Sequence, residues 1–204
     1  PEVYACEYLC NPVDDSIRYF RKGDFLPMTE EDRKKNKTFY ITADLAVSEK
    51  DRADYTAIVV GGLDSNGQLH VVNTVRERLS GDEIVATLLS LQKIYNPVAV
   101  GIEDTQISKA LGPYIYRTMA ETGVYMNITM LKPHRQDKLQ RARSIQARMR
   151  AGMVKFDKNA DWWLTFEDEC MNFPRARHDD MVDALAYQGI LIDRMAEGLT
   201  QEEE

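Results

Sequence analysis

Residues 39–76 constrain the fold more than any other part of the chain. Phe39-Tyr40-Ile41-Thr42-Ala43-Asp44-Leu45-Ala46 and Thr56-Ala57-Ile58-Val59-Val60-Gly61-Gly62-Leu63 are rich in β-branched, aromatic and small apolar residues, and 68–76 is a third such run. Runs of this kind fit the pleated, half-buried surface of a strand. Asp64-Ser65-Asn66-Gly67 separates the second from the third, and its Asn-Gly pair suits the positive φ of a tight hairpin. The three strands are therefore expected to form an antiparallel meander.

Beyond Arg76 the period changes. Ser80 and Glu83 have the spacing of a capping box, and Ile84, Leu88 and Leu91 line one side of a helix over 81–95 that Asn96-Pro97 stops. A buried strand over 98–103 follows, then a helix over 108–122 closed by Gly123 and a strand over 125–131. The remainder predicts a basic helix over 136–151, a small edge strand over 154–156, a helix over 161–173 stopped by Pro174, and a last helix over 179–195. The order β-β-β-α-β-α-β-α-α implies an α/β fold. Its mixed five-stranded sheet has an antiparallel meander, then parallel strands, and helices flank it. Right-handed crossovers place the fourth strand beside the first and parallel to it. Residues 1–37, with Pro12 and the charge run from Glu30 to Lys35, carry no long periodic pattern and are expected to be a linker or arm. The domain is expected at 38–196, with an acidic tail at 197–204. Because the chain opens with Pro-Glu-Val, it is expected to be a piece of a longer protein.

A net charge of −7 argues at first against a polyanionic partner, but the charge is uneven. Residues 132–155 hold eight Lys or Arg against the single acid Asp137. No apolar run reaches the roughly 18 residues of a membrane helix, so no membrane partner is expected, and no signal-peptide pattern opens the chain. Cys6, Cys10 and Cys170 are odd in number and form no C-x-x-C pair, which disfavours a disulfide framework or a zinc site. Reduced thiols suit a cytoplasmic setting.

The carboxylates carry the chemistry. Asp44 is the only charge in its strand, and alternation puts it on the face of Tyr40 and Thr42, opposite Phe39, Ile41 and Ala43. A lone carboxylate there is costly unless it is paired or binds metal; the alternative is an Asp that caps a turn at the strand end. Glu103 ends the fourth strand, and Ala99 and Gly101 on its face leave room for an ion or substrate. Asp104 points to the other face and ranks lower. In His178-Asp179-Asp180-Met181-Val182-Asp183, the acids are spaced to share one side of a helix. First-turn acids also suit the helix dipole, but three within five residues repel one another unless a cation sits among them. His178 is expected to cap or support. Acids from two strands and a helix start suit two hard cations, Mg²⁺ or Mn²⁺, and two-metal phosphodiester hydrolysis.

These segments, in this order, resemble the nuclease domain of the large terminase subunits of tailed bacteriophages. Ile41-Thr42-Ala43-Asp44 with Asp54-Tyr55-Thr56-Ala57 is similar to that family's first hairpin, and Gly101-Ile102-Glu103-Asp104-Thr105-Gln106 to its second acidic motif. Asp137-Lys138 with Arg141 is similar to its basic helix. His178-Asp179-Asp180-Met181-Val182-Asp183-Ala184 is similar to its third acidic motif. The resemblance implies a ribonuclease H-like fold and cleavage of concatemeric viral DNA during packaging. It also implies metals on Asp44, Glu103 and Asp180, with Asp183 and Asp179 as further candidates. Implied partners are double-stranded DNA, an upstream ATPase domain, a portal and a small terminase subunit; the implied location is the procapsid in the host cytoplasm. Tyr8-Leu9-Cys10-Asn11-Pro12 resembles the segment joining the two domains, and no G-x-x-x-x-G-K-[ST] motif of the ATPase occurs here.

Lys138, Arg141 and Arg148, with Arg135 and Lys132, are the expected phosphate contacts, and phosphate contacts read no sequence. Trp162-Trp163 is expected to serve the core rather than stack on bases. Other ribonuclease H-like nucleases, such as a resolvase or transposase core, share the carboxylate logic. A non-catalytic interaction domain of a packaging complex would leave the acids solvated. An actin-like ATPase needs a glycine-rich loop where Leu45-Ala46-Val47-Ser48 stands.

Overall fold

The computed structural model describes residues 15, 18–47, 55–132, 137–176 and 178–202, with side chains to 196. Its strands are β1 (Leu26–Pro27), β2 (Thr38–Asp44), β3 (Thr56–Leu63), β4 (Leu69–Glu77), β5 (Ala99–Glu103), β6 (Ile128–Leu131) and β7 (Val154–Phe156). The helices are α1 (Glu30–Lys34), α2 (Gly81–Tyr95), α3 (Gln106–Thr122), α4 (Lys138–Arg141), α5 (Arg143–Arg150), α6 (Trp163–Asn172) and α7 (Asp180–Glu202). One mixed sheet runs β1-β7-β4-β3-β2-β5-β6. The meander forms as expected, with β2, β3 and β4 antiparallel. Also as expected, β5 lies beside β2 and parallel to it, and β6 extends the parallel half.

The sheet has seven strands where five were expected. The β7 segment, expected at an edge, lies between β4 and β1 and is parallel to both. The β1 strand is two residues long and ends in Pro, too short to show a period of two. Proline is tolerated there because β1 is an edge strand. The described part of the expected arm lies against this side of the sheet. Phe20 and Phe25 are buried, and the Phe25 ring sits 5.5 Å from Phe156 and 5.8 Å from Trp163. Lys155 Nζ donates to Asp32 at 2.8 Å, and Arg33 forks onto both oxygens of Asp157.

Alternation along the strands decides the two faces. Ile41, Ala43, Ile58, Val60, Val100 and Ile102 pack under α2 and α3. Ala57, Val59, Leu69 and Val71 face α5, α6 and α7 with Trp163 and Phe166, so Trp163 is a core residue. Local signals behave as their chemistry dictates. Ser80 and Glu83 form the reciprocal capping box of α2, and Gly67 closes the β3–β4 turn at φ 74°. The expected basic helix is instead two pieces, broken at Ala142, whose ψ is −3°. At the break the Tyr19 hydroxyl donates to the Leu139 carbonyl at 2.6 Å, the acceptor that a continuous helix offers to residue 143. The α3 helix starts two residues early because Thr105 and Ser108 cap each other's backbone. The β6 strand begins at Ile128 rather than 125, and α7 runs on to Glu202, into the expected tail.

Candidate active site

Strand register builds the first half of the site. Ala43 lies opposite Ile102 in the parallel β2–β5 pair, so the next residues, Asp44 and Glu103, end adjacent strands at one edge of the sheet. The α7 helix supplies the other half, because it is hydrogen-bonded to the sheet itself. Thr42 Oγ1 donates to the Ala184 carbonyl at 2.7 Å, and Gln188 Nε2 donates to the carbonyls of Tyr40 and Val59, each at 3.0 Å. These anchors set the first turn of α7, with Asp180 and Asp183, beneath the strand ends.

The small residues beside Glu103 do something other than expected. A Cβ on Gly101 would meet Leu131 Cδ1 at 2.9 Å and Leu191 Cδ2 at 3.3 Å, and Ala99 packs with Leu131, Tyr187 and Leu191. They admit α7 to the sheet rather than leave room for an ion.

Arg141 lies among the acids. Its Nη2 donates to both oxygens of Asp183 at 2.9 and 3.0 Å, and its Nη1 is 3.8 Å from Glu103 Oε1. Burial opposes its charge, yet Asp183, Tyr187, Glu103 and Asp44 together raise its pKa. One guanidinium does not balance the cluster. Burial, then the charges of Asp183, Glu103 and Asp180, push Asp44 up to about 8 against the pull of Arg141. Burial likewise lifts Asp183 to about 6, with Arg141 pulling down and Asp179 pushing up. Crowded carboxylates in a poorly solvated site favour a proton or a cation.

Two residues that the sequence analysis missed complete the arrangement. Glu169 of α6 accepts the Met181 amide at 2.6 Å, which caps the start of α7, and its other oxygen is ion-paired with Arg76, 3.1 Å from Nε. Burial raises Glu169 to about 7, with Asp180 adding and Arg76 subtracting. Its signal was a charge at the spacing of Trp163, Phe166 and Cys170 on the buried side of α6. Tyr187 is fully buried, and its hydroxyl has no hydrogen-bond partner among the described residues. Burial, then the charges of Asp44 and Glu103, hold its proton on strongly.

The expected phosphate contacts divide. Lys138 pairs with Asp179, Arg148 Nη2 donates to Asp193 at 2.7 Å, and Arg141 is turned inward. Lys132 is exposed and lies 3.7 Å from Asp104, which Lys109 also meets at 3.0 Å. Arg135, Asp54, Cys6 and Cys10 lie outside the described residues; Cys170 is a buried free thiol. His178 stands beside Asp180, Nδ1 to Oδ2 3.9 Å.

The donor set fits a hard cation, since every candidate ligand is a carboxylate oxygen. The buried phenol of Tyr187, which feels the charges of Asp44 and Glu103, adds a polar atom without a hydrogen-bond partner among the described residues. Among the described residues no three His, Cys, Asp or Glu side chains are already gathered into a cage; between Glu103 and Asp183 lies Arg141. Among them, too, no helix is long and apolar enough to cross a membrane.

A family model described as the terminase RNaseH-like domain matches residues 41–189. The nuclease domain of the large terminase subunit gp2 of bacterial virus Sf6 superposes with a TM-score of 0.59 at 12% identity, over 81% of this chain and 86% of that one. A point variant of that domain solved with manganese gives 0.55 at 12% identity, over 76% and 88%. The large terminase of bacteriophage HK97 gives 0.52 at 10% identity, over 81% of this chain and 41% of the longer protein. No curated protein matches. At these identities the likeness establishes a shared ribonuclease H-like fold.

Proposed function

Because the chain belongs to the terminase RNase H-like domain family, we propose that it is a metal-dependent endonuclease that cuts double-stranded, concatemeric viral DNA during genome packaging. The observation that carries this reading is the convergence of Asp44, Glu103 and the α7 acids, crowded enough to lift Asp44 to about 8. Asp44, Glu103 and Asp180 would hold two divalent cations, Mg²⁺ or Mn²⁺, with Asp183 and Asp179 beside them, and such ions activate a water and stabilise the leaving oxygen. That the Sf6 domain has been solved with manganese and with calcium supports divalent ions in this fold.

The chain's own residues prepare the site. Thr42 and Gln188 fix the height of α7, Glu169 fixes its first turn, and Arg141 offsets part of the charge on Asp183. Contacts to phosphate carry no sequence information, so cleavage would show little sequence preference. The site would act at the procapsid in the host cytoplasm, joined to an ATPase domain and working with a portal and a small terminase subunit.

Supercoiled plasmid incubated with Mn²⁺ or Mg²⁺ is expected to be nicked and then linearised, and EDTA should stop the reaction. Asp44→Ala and Asp180→Ala should each abolish cleavage and calorimetric Mn²⁺ binding while circular dichroism is unchanged. Robust cleavage by both variants sinks the proposed site.

A further inference from the structure

The α4 helix is four residues long and buries none of them. A helix that short has little stability of its own, so ties from its side chains hold it against α7. Lys138 pairs with Asp179. Three residues on, Arg141 Nη2 donates to both oxygens of Asp183 at 2.9 and 3.0 Å. Arg141 reaches further in than Lys138: its side chain is 13% exposed against 50%, and its Nη1 lies 3.8 Å from Glu103 Oε1. It therefore answers the oxygens that a cation would use. When ionised, Asp44 and the acids that press on it, Glu103, Asp180 and Asp183, match the charge of two divalent cations. Arg141 is one positive charge beyond that balance, and like charges crowded at the same carboxylates repel. The break at Ala142 separates α4 from α5, whose Ile145 and Met149 are buried, so α4 can shift while α5 stays.

We propose that α4 is a latch on the acid cluster: Arg141 holds Asp183 and Glu103 and must withdraw, with α4, for the cluster to take its full complement of divalent cations. The latch rests on the metal-nuclease reading and adds regulation to it. Ion loading releases α4, and whatever presses α4 against α7 keeps the site from cutting.

Calorimetric titration of Mn²⁺ into the full chain, without DNA, tests the latch. Arg141→Gln removes the charge and should bind Mn²⁺ roughly tenfold more tightly, the effect of losing one neighbouring like charge. Arg141→Lys keeps the charge and should stay near the wild type. A residue that only braces the acids would do the opposite, and its loss would weaken Mn²⁺ binding. Hydrogen exchange of the wild type needs no variant. The amides of Gln140, Arg141 and Ala142 bond within this segment, and Mn²⁺ should make them exchange several-fold faster. A glutamine variant that binds Mn²⁺ no tighter, or exchange at these amides that Mn²⁺ leaves unchanged or slows, overturns the latch alone when the wild type binds Mn²⁺ and cuts DNA. A wild type that neither binds Mn²⁺ nor cuts overturns the nuclease reading and the latch with it.

Discussion

Replacing Asp44 with Asn removes one negative charge from the cluster and keeps its shape. The folded protein holds the Asp44 proton up to about 8, whereas an unfolded chain releases it near about 3.9. Each unit of difference is worth about 1.4 kcal/mol. A gap of about four units therefore sets an upper bound near 5–6 kcal/mol, and entry of water with side-chain relaxation reduces this to about 2–3 kcal/mol. The sign follows from which state keeps the proton. The carboxyl is raised on folding, so its contribution to stability is whole below about pH 4 and is lost as pH rises through about 8. Urea unfolding of wild type and Asp44→Asn in EDTA, at about pH 5 and about pH 9, reads it. The variant should gain about 2–3 kcal/mol on the wild type between those values. Adding Mn²⁺ should reverse the order, because an ion bound only by the folded wild type stabilises it by mass action. Parallel pH dependences for the two proteins would refute the argument that burial and neighbouring acids strain Asp44.

Two further outcomes follow from particular side chains. Tyr187→Phe deletes a buried hydroxyl that lacks a partner among the described residues, so stability in EDTA should hold or rise by about 1 kcal/mol. A loss of that size in the same urea titration would show the hydroxyl to be bonded. Phe20→Ala empties a fully buried position and should cost about 3–5 kcal/mol, read as a lower urea midpoint at an unchanged slope. A cost under about 1 kcal/mol would detach residues 18–37 from the core.

What could be read from the sequence was whatever its chemistry stated locally. The meander is written in three runs rich in β-branched and apolar residues and an Asn-Gly turn, and Ser80 with Glu83 announces its helix within four residues. Asp44 is conspicuous because a charge interrupts an apolar strand. Features that depend on distant partners left little local trace. The β1 strand exists because β7, more than a hundred residues later, offers it an edge. Arg141 looked like one more cation on a basic helix, yet its acceptor Asp183 arrives from a different helix. Tyr187 hid inside an apolar run, where an aromatic residue reads as core. Gly101 was read as making space, and its size instead serves the close approach of Leu191.

The bonds from Gln188 and Thr42 into the sheet give α7 a fixed rotational phase. A helix advances about 100° per residue, and Gln188 is five residues from Asp183 and eight from Asp180. Inserting or deleting one residue between those acids and the glutamine would leave the amide docked on Tyr40 and Val59 while swinging the carboxylates about a quarter-turn away from Asp44. Many substitutions within 180–188 preserve that phase, but no change of length does. By contrast, the Asp64–Gly67 turn, at the far end of the strand from Asp44, can lengthen without moving the site. The chain thus counts residues strictly in one segment and loosely in another.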